Sequence, residues 1–140
     1  MKIKFKILYI ILMLIAVFAF ATGVIAPPLI IAHRGGKNNW PENTIYAFQE
    51  AQKAGVDAIG LDVQVTSDGV PVLFHARDLS AWTNGTGKIA HQSLKYIKSL
   101  NAAWKYKPDE NYPFRKNNLK IPTLTEALKT IQTKIRGNSI

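Results

Sequence analysis

Two histidines in this sequence occur where an apolar segment gives way to polar residues, and histidine is the side chain best suited to moving protons near neutral pH. His33 follows the apolar run Leu29–Ala32, and His75 closes the run Val70–His75. Arg34 comes directly after the first histidine, and its planar guanidinium can hold two phosphate oxygens at once. Two imidazoles beside an arginine predict proton transfer on a phosphate-containing substrate. Taken singly, each histidine is also explained as a structural hydrogen-bonding residue, and the arginine as an ordinary surface residue.

The elements that position these residues follow from the spacing of apolar residues. Leu29–Ala32 is typical of a buried parallel strand. A helix capped by Asn43 or Thr44 and stopped by Gly55 is predicted next. The second strand is predicted at Ala58–Val65. Strand, polar loop and helix together make one βα unit.

The second strand carries its apolar side chains on one face, while Gly60, Asp62 and Gln64 share the other. Ser67–Gly69 then predicts a tight turn before a third strand at Val70–His75. A short turn favours an antiparallel hairpin, whereas a parallel pair requires a crossover helix. The local sequence leaves both arrangements open.

The rest of the chain alternates loops and helices. Asn84–Gly87 predicts a loop, Ser93–Leu100 a helix, Lys105–Lys120 a long basic surface loop, and Thr123–Ile135 a capped helix. The apolar face of that last helix recurs at helical spacing through Leu124, Leu128, Ile131 and Ile135.

Four ordered motifs lie between the first strand and the second histidine: Ile30–Gly36, Trp40–Thr44, Leu61–Gly69 and Phe74–His75. A looser match continues from Asn84–Gly87 to Ile121–Leu124. Together they resemble the start of the glycerophosphodiester phosphodiesterase family. The resemblance implies a (β/α)8 barrel with an irregular second connection, and a complete barrel takes about 250 residues. The expected fold class is α/β, a partial TIM (β/α)8 barrel of the first three to four strands, preceded by an N-terminal hydrophobic helix.

The same resemblance implies roles for single residues. His33 and His75 match the family's two catalytic histidines. Glu42 matches an acidic residue of the family that lines the same site, where Arg34 is expected to bind the substrate phosphate through its guanidinium. Asn43 is explained equally well as a helix cap and as a catalytic residue.

A divalent cation, commonly calcium or magnesium, is also implied by the resemblance. In the family it is held by a glutamate and an aspartate two residues apart, together with a glutamate from a later strand. Here the pair is Gly60 and Asp62, and glycine supplies no side-chain ligand. Lys134–Gly137 contains no acid that could be the later glutamate. Asp62 with Glu42 is therefore expected to hold the cation weakly or to have lost it.

The N-terminal segment is the other strong signal. Lys2, Lys4 and Lys6 precede Ile7–Ala26, which has no charged residue. Its length fits both a secretory signal peptide and a membrane anchor, and both remain open for residues 1–26. Because basic residues precede the apolar run, residues 27–140, the partial phosphodiesterase domain, are expected to be exported: periplasmic or extracellular, secreted or membrane-anchored.

Composition excludes several classes of protein. The chain has 140 residues, 47% of them hydrophobic, a net charge of +9 and no cysteine, so disulfides and thiolate metal sites are ruled out. The positive charge alone does not choose among an anionic substrate, a membrane surface and nucleic acid. No motif interleaves the lysines with stacking aromatics, so a nucleic-acid binder is not expected. The tryptophans are interpreted as packing residues.

Two functional hypotheses follow. The first is an exported phosphoric diester hydrolase of lipid metabolism, which splits glycerophosphodiesters into an alcohol and glycerol 3-phosphate. The second is a catalytically impaired fragment or phosphate-binding remnant, because Gly60 and the absent later glutamate remove metal ligands. A barrel of only three or four strands has an open sheet edge, which favours pairing with another copy of the chain.

Overall fold

The computed structural model describes residues 5–7, 9–14 and 27–131. Residues 5–7 and 9–14 are helical, and within the described ranges no helix is long and apolar enough to cross a membrane. The remainder of the predicted signal peptide or anchor lies outside the described residues. From residue 27 onward the regular elements are β1 (Ile31–His33), α1 (Ile45–Lys53), β2 (Ala58–Gly60), β3 (Val63–Val65), β4 (Pro71–Leu73), α2 (Leu94–Ser99) and α3 (Leu124–Ile131).

The predicted βα unit is present. β1 and β2 pair in parallel, with His33 in register with Gly60. Thr44, rather than Asn43, caps α1, because its side chain accepts a hydrogen bond from the Ala47 backbone N–H at 3.1 Å. The chain leaves the helix at Gly55, whose φ of +77° is the left-handed conformation of a glycine stop.

The predicted second strand is broken in two. β3 follows β2 after Leu61–Asp62 and pairs antiparallel with β4, with Val63 opposite Leu73. The turn that joins them contains Gly69 at φ +79° and is closed by Thr66, whose hydroxyl accepts from the Val70 N–H at 2.9 Å. This connection is too short for a crossover helix, so the hairpin alternative is the one observed. The two-stranded sheets β1–β2 and β3–β4 give a partial α/β fold.

β4 separates two hydrophobic clusters, because neighbouring residues of a strand point to opposite faces. Leu73 packs with Phe48 and Ala127 in the smaller cluster. Val72 belongs to the larger cluster, which consists of Val72, Phe74, Leu79, Ile89, Ile97, Leu100 and Ile121. The hairpin is therefore fixed on both faces of β4, immediately before His75.

α3 begins with a capping box, because Thr123 and Glu126 exchange backbone-to-side-chain hydrogen bonds of 2.8 and 3.2 Å. Of its predicted apolar face, Leu124 and Ile131 pack on the smaller cluster, but Leu128 is 42% exposed. The prediction was wrong at that position, and Ala127 is the buried residue instead. The predicted last residues of this helix, including position 135, lie outside the described residues.

The predicted loop at Asn84–Gly87 and the helix within Ser93–Leu100 are confirmed. Lys105–Lys120 is irregular as predicted, but part of it is packed. Within it, Tyr106 is buried and lies 5.6 Å from Phe114, ring centre to ring centre. The Phe114 ring lies in turn 5.2 Å from that of Tyr46 on α1. This loop therefore contacts α1 through Phe114.

Candidate active site

Asp62 is the centre of a polar network that joins several of the predicted site residues. It occupies the bend between β2 and β3, where the strand prediction was wrong. Its Oδ2 lies 3.1 Å from Arg34 Nε, and its Oδ1 lies 3.2 Å from His75 Nδ1. The network therefore links the loop after β1 with the segment after β4.

The antiparallel hairpin explains why Asp62 and His75 meet. In such a pair the residue before β3 lies beside the residues after β4, and the Phe74 N–H donates to the Asp62 carbonyl at 3.1 Å. The Nδ1 contact fixes one side of the imidazole, so Nε2, on the opposite side of the ring, is the nitrogen available to a ligand. The side chain of His75 is 47% exposed. An aspartate that orients a histidine in this way leaves it able to transfer a proton through the free nitrogen.

Arg34 lies between two carboxylates and is largely buried. Its Nη1 donates to both oxygens of Glu42, at 3.0 and 3.3 Å. Its Nε lies close to Asp62, but the N–H is not aimed at the oxygen and has no hydrogen-bond partner. That contact is ionic only. The third nitrogen, Nη2, forms no hydrogen bond with the described residues, which leaves one arm of the guanidinium for a phosphate oxygen.

The loop that holds Arg34 has an unusual backbone. Arg34, Gly35 and Gly36 have φ values of +54°, +79° and +94° in succession. A Cβ on Gly35 would lie 2.8 Å from the Phe48 ring, and one on Gly36 would lie 2.9 Å from the Trp40 ring. These glycines therefore let the loop pack against aromatic rings.

Asn43 is the residue whose role sequence reasoning left undecided. Its Nδ2 donates to Asp62 Oδ2 at 3.0 Å, and its Oδ1 accepts from the Asp62 backbone N–H at 3.2 Å. The neighbouring Thr44 makes the helix cap. The only sequence signal for this arrangement was the presence of two cap-forming residues where the helix needs one.

The pKa of Asp62 reflects these neighbours. Partial burial raises the pKa of its carboxyl group, but hydrogen bonds from Asn43 and His75 and the charge of Arg34 outweigh that effect. The net result is a pKa below the ordinary aspartate value of 3.8. Asp62 is therefore ionised throughout the neutral pH range.

His33, the other predicted catalytic histidine, is exposed at the end of β1, directly before Arg34. Its register partner is Gly60, so the neighbouring strand presents no side chain to it. A Cβ at position 60 would meet only ordinary contacts, 3.9 Å from the His33 Cα and 4.0 Å from the Arg34 N. Position 60 thus has room for a Cβ beside this histidine.

The residues present do not fit a divalent cation. The predicted ligands, Asp62 and Glu42, both contact the positively charged Arg34, which competes with a metal ion for their oxygens. Calcium takes six to eight oxygen ligands. In the part of the chain that the structure describes, no group of three or more histidine, aspartate and glutamate side chains could hold a metal ion. Here the two carboxylates position Arg34 and His75 instead.

Comparison with known proteins places this arrangement in a family. Residues 33–138 match the Glycerophosphoryl diester phosphodiesterase family. This chain belongs to that family. The resemblance read from the four sequence motifs is confirmed.

Two relatives show how much of the domain is covered. An uncharacterized protein from Mycobacterium tuberculosis is 41% identical over 112 residues, which are 79% of this chain and 37% of that protein. Human glycerophosphodiester phosphodiesterase 1 is 41% identical over 98 residues, which are 70% of this chain and 28% of that enzyme. The chain thus spans about a third of the length of these relatives.

Solved structures of the family have the same fold in the matched part. The glycerophosphoryl diester phosphodiesterase domain of an uncharacterized Mycobacterium tuberculosis protein superposes with a TM-score of 0.71 at 42% identity, covering 74% of this chain and 39% of that chain. An Oleispira antarctica phosphodiesterase, solved in complex with the product sn-glycerol-3-phosphate, gives a TM-score of 0.65 at 38% identity, covering 75% and 40%.

Proposed function

We propose that this family member acts on glycerophosphodiesters and hydrolyses them to an alcohol and sn-glycerol 3-phosphate. The observation that carries this proposal is Asp62, which joins an arginine with a free guanidinium arm to a histidine with a free ring nitrogen. The product-bound Oleispira antarctica relative supports the choice of substrate class.

In the proposed reaction, Arg34 binds a phosphate oxygen through Nη2 and offsets the charge that develops on the phosphoryl group. One of the two histidines, His33 or His75, removes a proton from the attacking water molecule, whose oxygen forms the new bond to phosphorus. The other donates a proton to the alkoxide as the phosphorus–oxygen bond to the alcohol breaks. One proton is taken up and one is released, and proton exchange with solvent then returns both imidazoles to their starting states for the next turnover.

The test is release of sn-glycerol 3-phosphate from glycerophosphocholine by the purified full chain, followed by phosphorus NMR. The assay is run with EDTA, with calcium and with magnesium. His91→Ala is the matched control, because His91 is exposed on a helical turn and is not among the residues that Asp62 contacts through hydrogen bonds or ion pairs. We expect the wild type and this control to turn over equally. Absence of product under all three conditions would refute hydrolysis by this chain.

A second candidate function is binding of the phosphoester without turnover. It is favoured by Gly60, which supplies no side chain at the position paired with His33, and by the poor fit of the two carboxylates to a cation. Calorimetric binding of sn-glycerol 3-phosphate without any product release would select this candidate.

We also infer three wider properties of the chain. The basic and apolar N-terminal sequence supports export, as a secreted or membrane-anchored protein. The partial sheets support the first part of a (β/α)8 barrel. The exposed Leu29 and Ile30 before β1, with Ile31 at its start, support pairing of that edge with another copy of the chain. Cell fractionation and light scattering of the purified chain test these inferences: a cytoplasmic monomer would contradict both the export and the pairing.

A further inference from the structure

Asn43 has a side chain whose contacts exceed what helix capping requires. It is 2% exposed, yet Thr44 next to it supplies the capping oxygen of α1. The amide of Asn43 is directed instead toward Asp62, a residue 19 positions later in the chain. A buried amide that is not needed for local structure points to a role in the network.

The two hydrogen bonds of this amide fix Asp62 in two ways. The bond from the Asp62 N–H to Oδ1 holds the main chain at the bend between β2 and β3. The bond from Nδ2 to Oδ2 sets the rotation of the carboxylate. An asparagine can do both at once because its side chain carries a donor and an acceptor. With the carboxylate set, Oδ1 faces the His75 ring and Oδ2 faces Arg34.

The backbone of Asn43 provides an independent observation. Asn43 and Arg34 both have φ of +54°, and the Asn43 N–H donates to the Arg34 carbonyl at 2.9 Å. Asparagine tolerates this left-handed conformation, whereas arginine rarely adopts it. Such strained residues persist where the surrounding structure over-determines them, and they concentrate at functional sites. Asn43 thus contacts Arg34 through its main chain and Asp62 through its side chain.

We propose that Asn43 is a positioning residue for the phosphoester site: it holds Asp62 so that the carboxylate sets both the guanidinium of Arg34 and the imidazole of His75. The choice of a phosphoester as ligand rests on the proposed function. The positioning itself rests only on the contacts of the folded chain, and it can be tested without turnover.

The experiment compares three variants of the full chain with the wild type. Asn43→Gly removes the side chain but keeps the left-handed backbone. Asn43→Asp keeps an acceptor for the Asp62 N–H but replaces the donor with a second carboxylate oxygen. Asn111→Gly is the matched control, because Asn111 is exposed and also has a left-handed φ, of +56°. Three quantities are measured: hydrogen exchange of the Asp62 amide, the NMR resonance of Arg34 Nε–H, and the dissociation constant of sn-glycerol 3-phosphate.

For Asn43→Gly we expect Asp62 amide exchange to accelerate about tenfold and the Arg34 resonance to shift, since each lost hydrogen bond has a modest net value. Product binding should weaken by a similar factor. Asn43→Asp should weaken product binding while largely retaining amide protection. Asn111→Gly should change none of the three.

Unchanged Asp62 exchange and an unchanged Arg34 resonance in Asn43→Gly would overturn the proposal. Equal changes in Asn111→Gly would overturn it as well, because they would show a general loss of stability. If the wild type does not bind sn-glycerol 3-phosphate while both NMR readouts respond as expected, the positioning role stands and the proposed function fails.

Discussion

The two pairs of strands in this protein contribute to the same site in different ways. In the parallel pair, β1 and β2, the residue opposite His33 is Gly60, which has no side chain. In the antiparallel pair, β3 and β4, the hairpin brings Asp62 against His75. One histidine therefore has a carboxylate partner and the other has an empty neighbouring position. The two pairs thus differ at the site in whether the position beside the histidine carries a side chain.

Replacing the two histidines should have the largest effect, and it tests directly whether both pairs of strands contribute to catalysis. We expect His75→Ala to lower kcat/KM for glycerophosphocholine by about a thousandfold, because it removes a proton-transferring group. His33→Ala should cost as much if both pairs of strands supply catalytic groups. Steady-state kinetics of the two variants and of the double variant check this. A mild effect of His33→Ala would show that the hairpin alone carries the chemistry.

Replacing two glycines of the β1–β2 unit compares a crowded position with an open one. Gly35→Ala should destabilise the protein by about 3 kcal/mol, because the new Cβ meets the Phe48 ring and the left-handed backbone is strained. Gly60→Ala should instead stabilise it by about 0.5 kcal/mol, since the position has room and glycine costs entropy in a strand. Urea denaturation measures both free energies of unfolding. Equal destabilisation would mean that position 60 is not open.

Replacing two valines of the β3–β4 hairpin compares a buried position with an exposed one. Val72 on β4 is fully buried, whereas Val65 on β3 is 50% exposed. Val72→Thr should cost about 2 kcal/mol because it buries a hydroxyl group, and Val65→Thr should change the free energy of unfolding by less than about 0.5 kcal/mol. Thermal denaturation compares them. A large cost at Val65 would show that the exposed face of β3 is covered.

The smallest expected effect is a pH dependence of the free energy of unfolding that comes from Asp62. The pKa of Asp62 is lowered in the folded protein, so its ionised form contributes stability above the ordinary aspartate value, and this contribution is lost as the pH falls through the folded pKa. Relative to the wild type, Asp62→Asn should be destabilised by about 1 kcal/mol at neutral pH, and the difference should shrink below about pH 4. Urea denaturation across this pH range gives both curves. A difference independent of pH would contradict the ionic role of Asp62.

Much of the local structure was predictable from the sequence. The cap and the glycine stop of α1, the turn at Gly69 and the capping box at Thr123 depend on residues a few positions apart, so their signals are local. The strand Ala58–Val65 was predicted as one element because its alternation is continuous. The break at Leu61–Asp62 comes from pairing of β3 with a strand other than the partner of β2, which alternation does not reveal.

For the candidate site, too, the sequence predicted the residues but not the contacts between them. The motifs identified His33, Arg34, Glu42, Asp62 and His75 as candidates. They assigned Asp62 to a cation by resemblance, whereas in the folded chain it contacts Arg34, His75 and Asn43. Those partners are separated from Asp62 by long stretches of chain, so only the path of the backbone decides which of them meet.

The amino-acid sequence by itself determined the family, the kinds of side chain available for proton transfer and phosphate binding, and the missing carboxylate at Gly60. Only the tertiary structure decided that β3 and β4 form an antiparallel pair, that Thr44 caps the helix while Asn43 contacts Asp62, and that Asp62 joins Arg34 to His75. The physical reason is that capping and turn preferences act within a few residues, whereas hydrogen bonds and ion pairs between distant residues form only once the packed core has fixed the course of the chain.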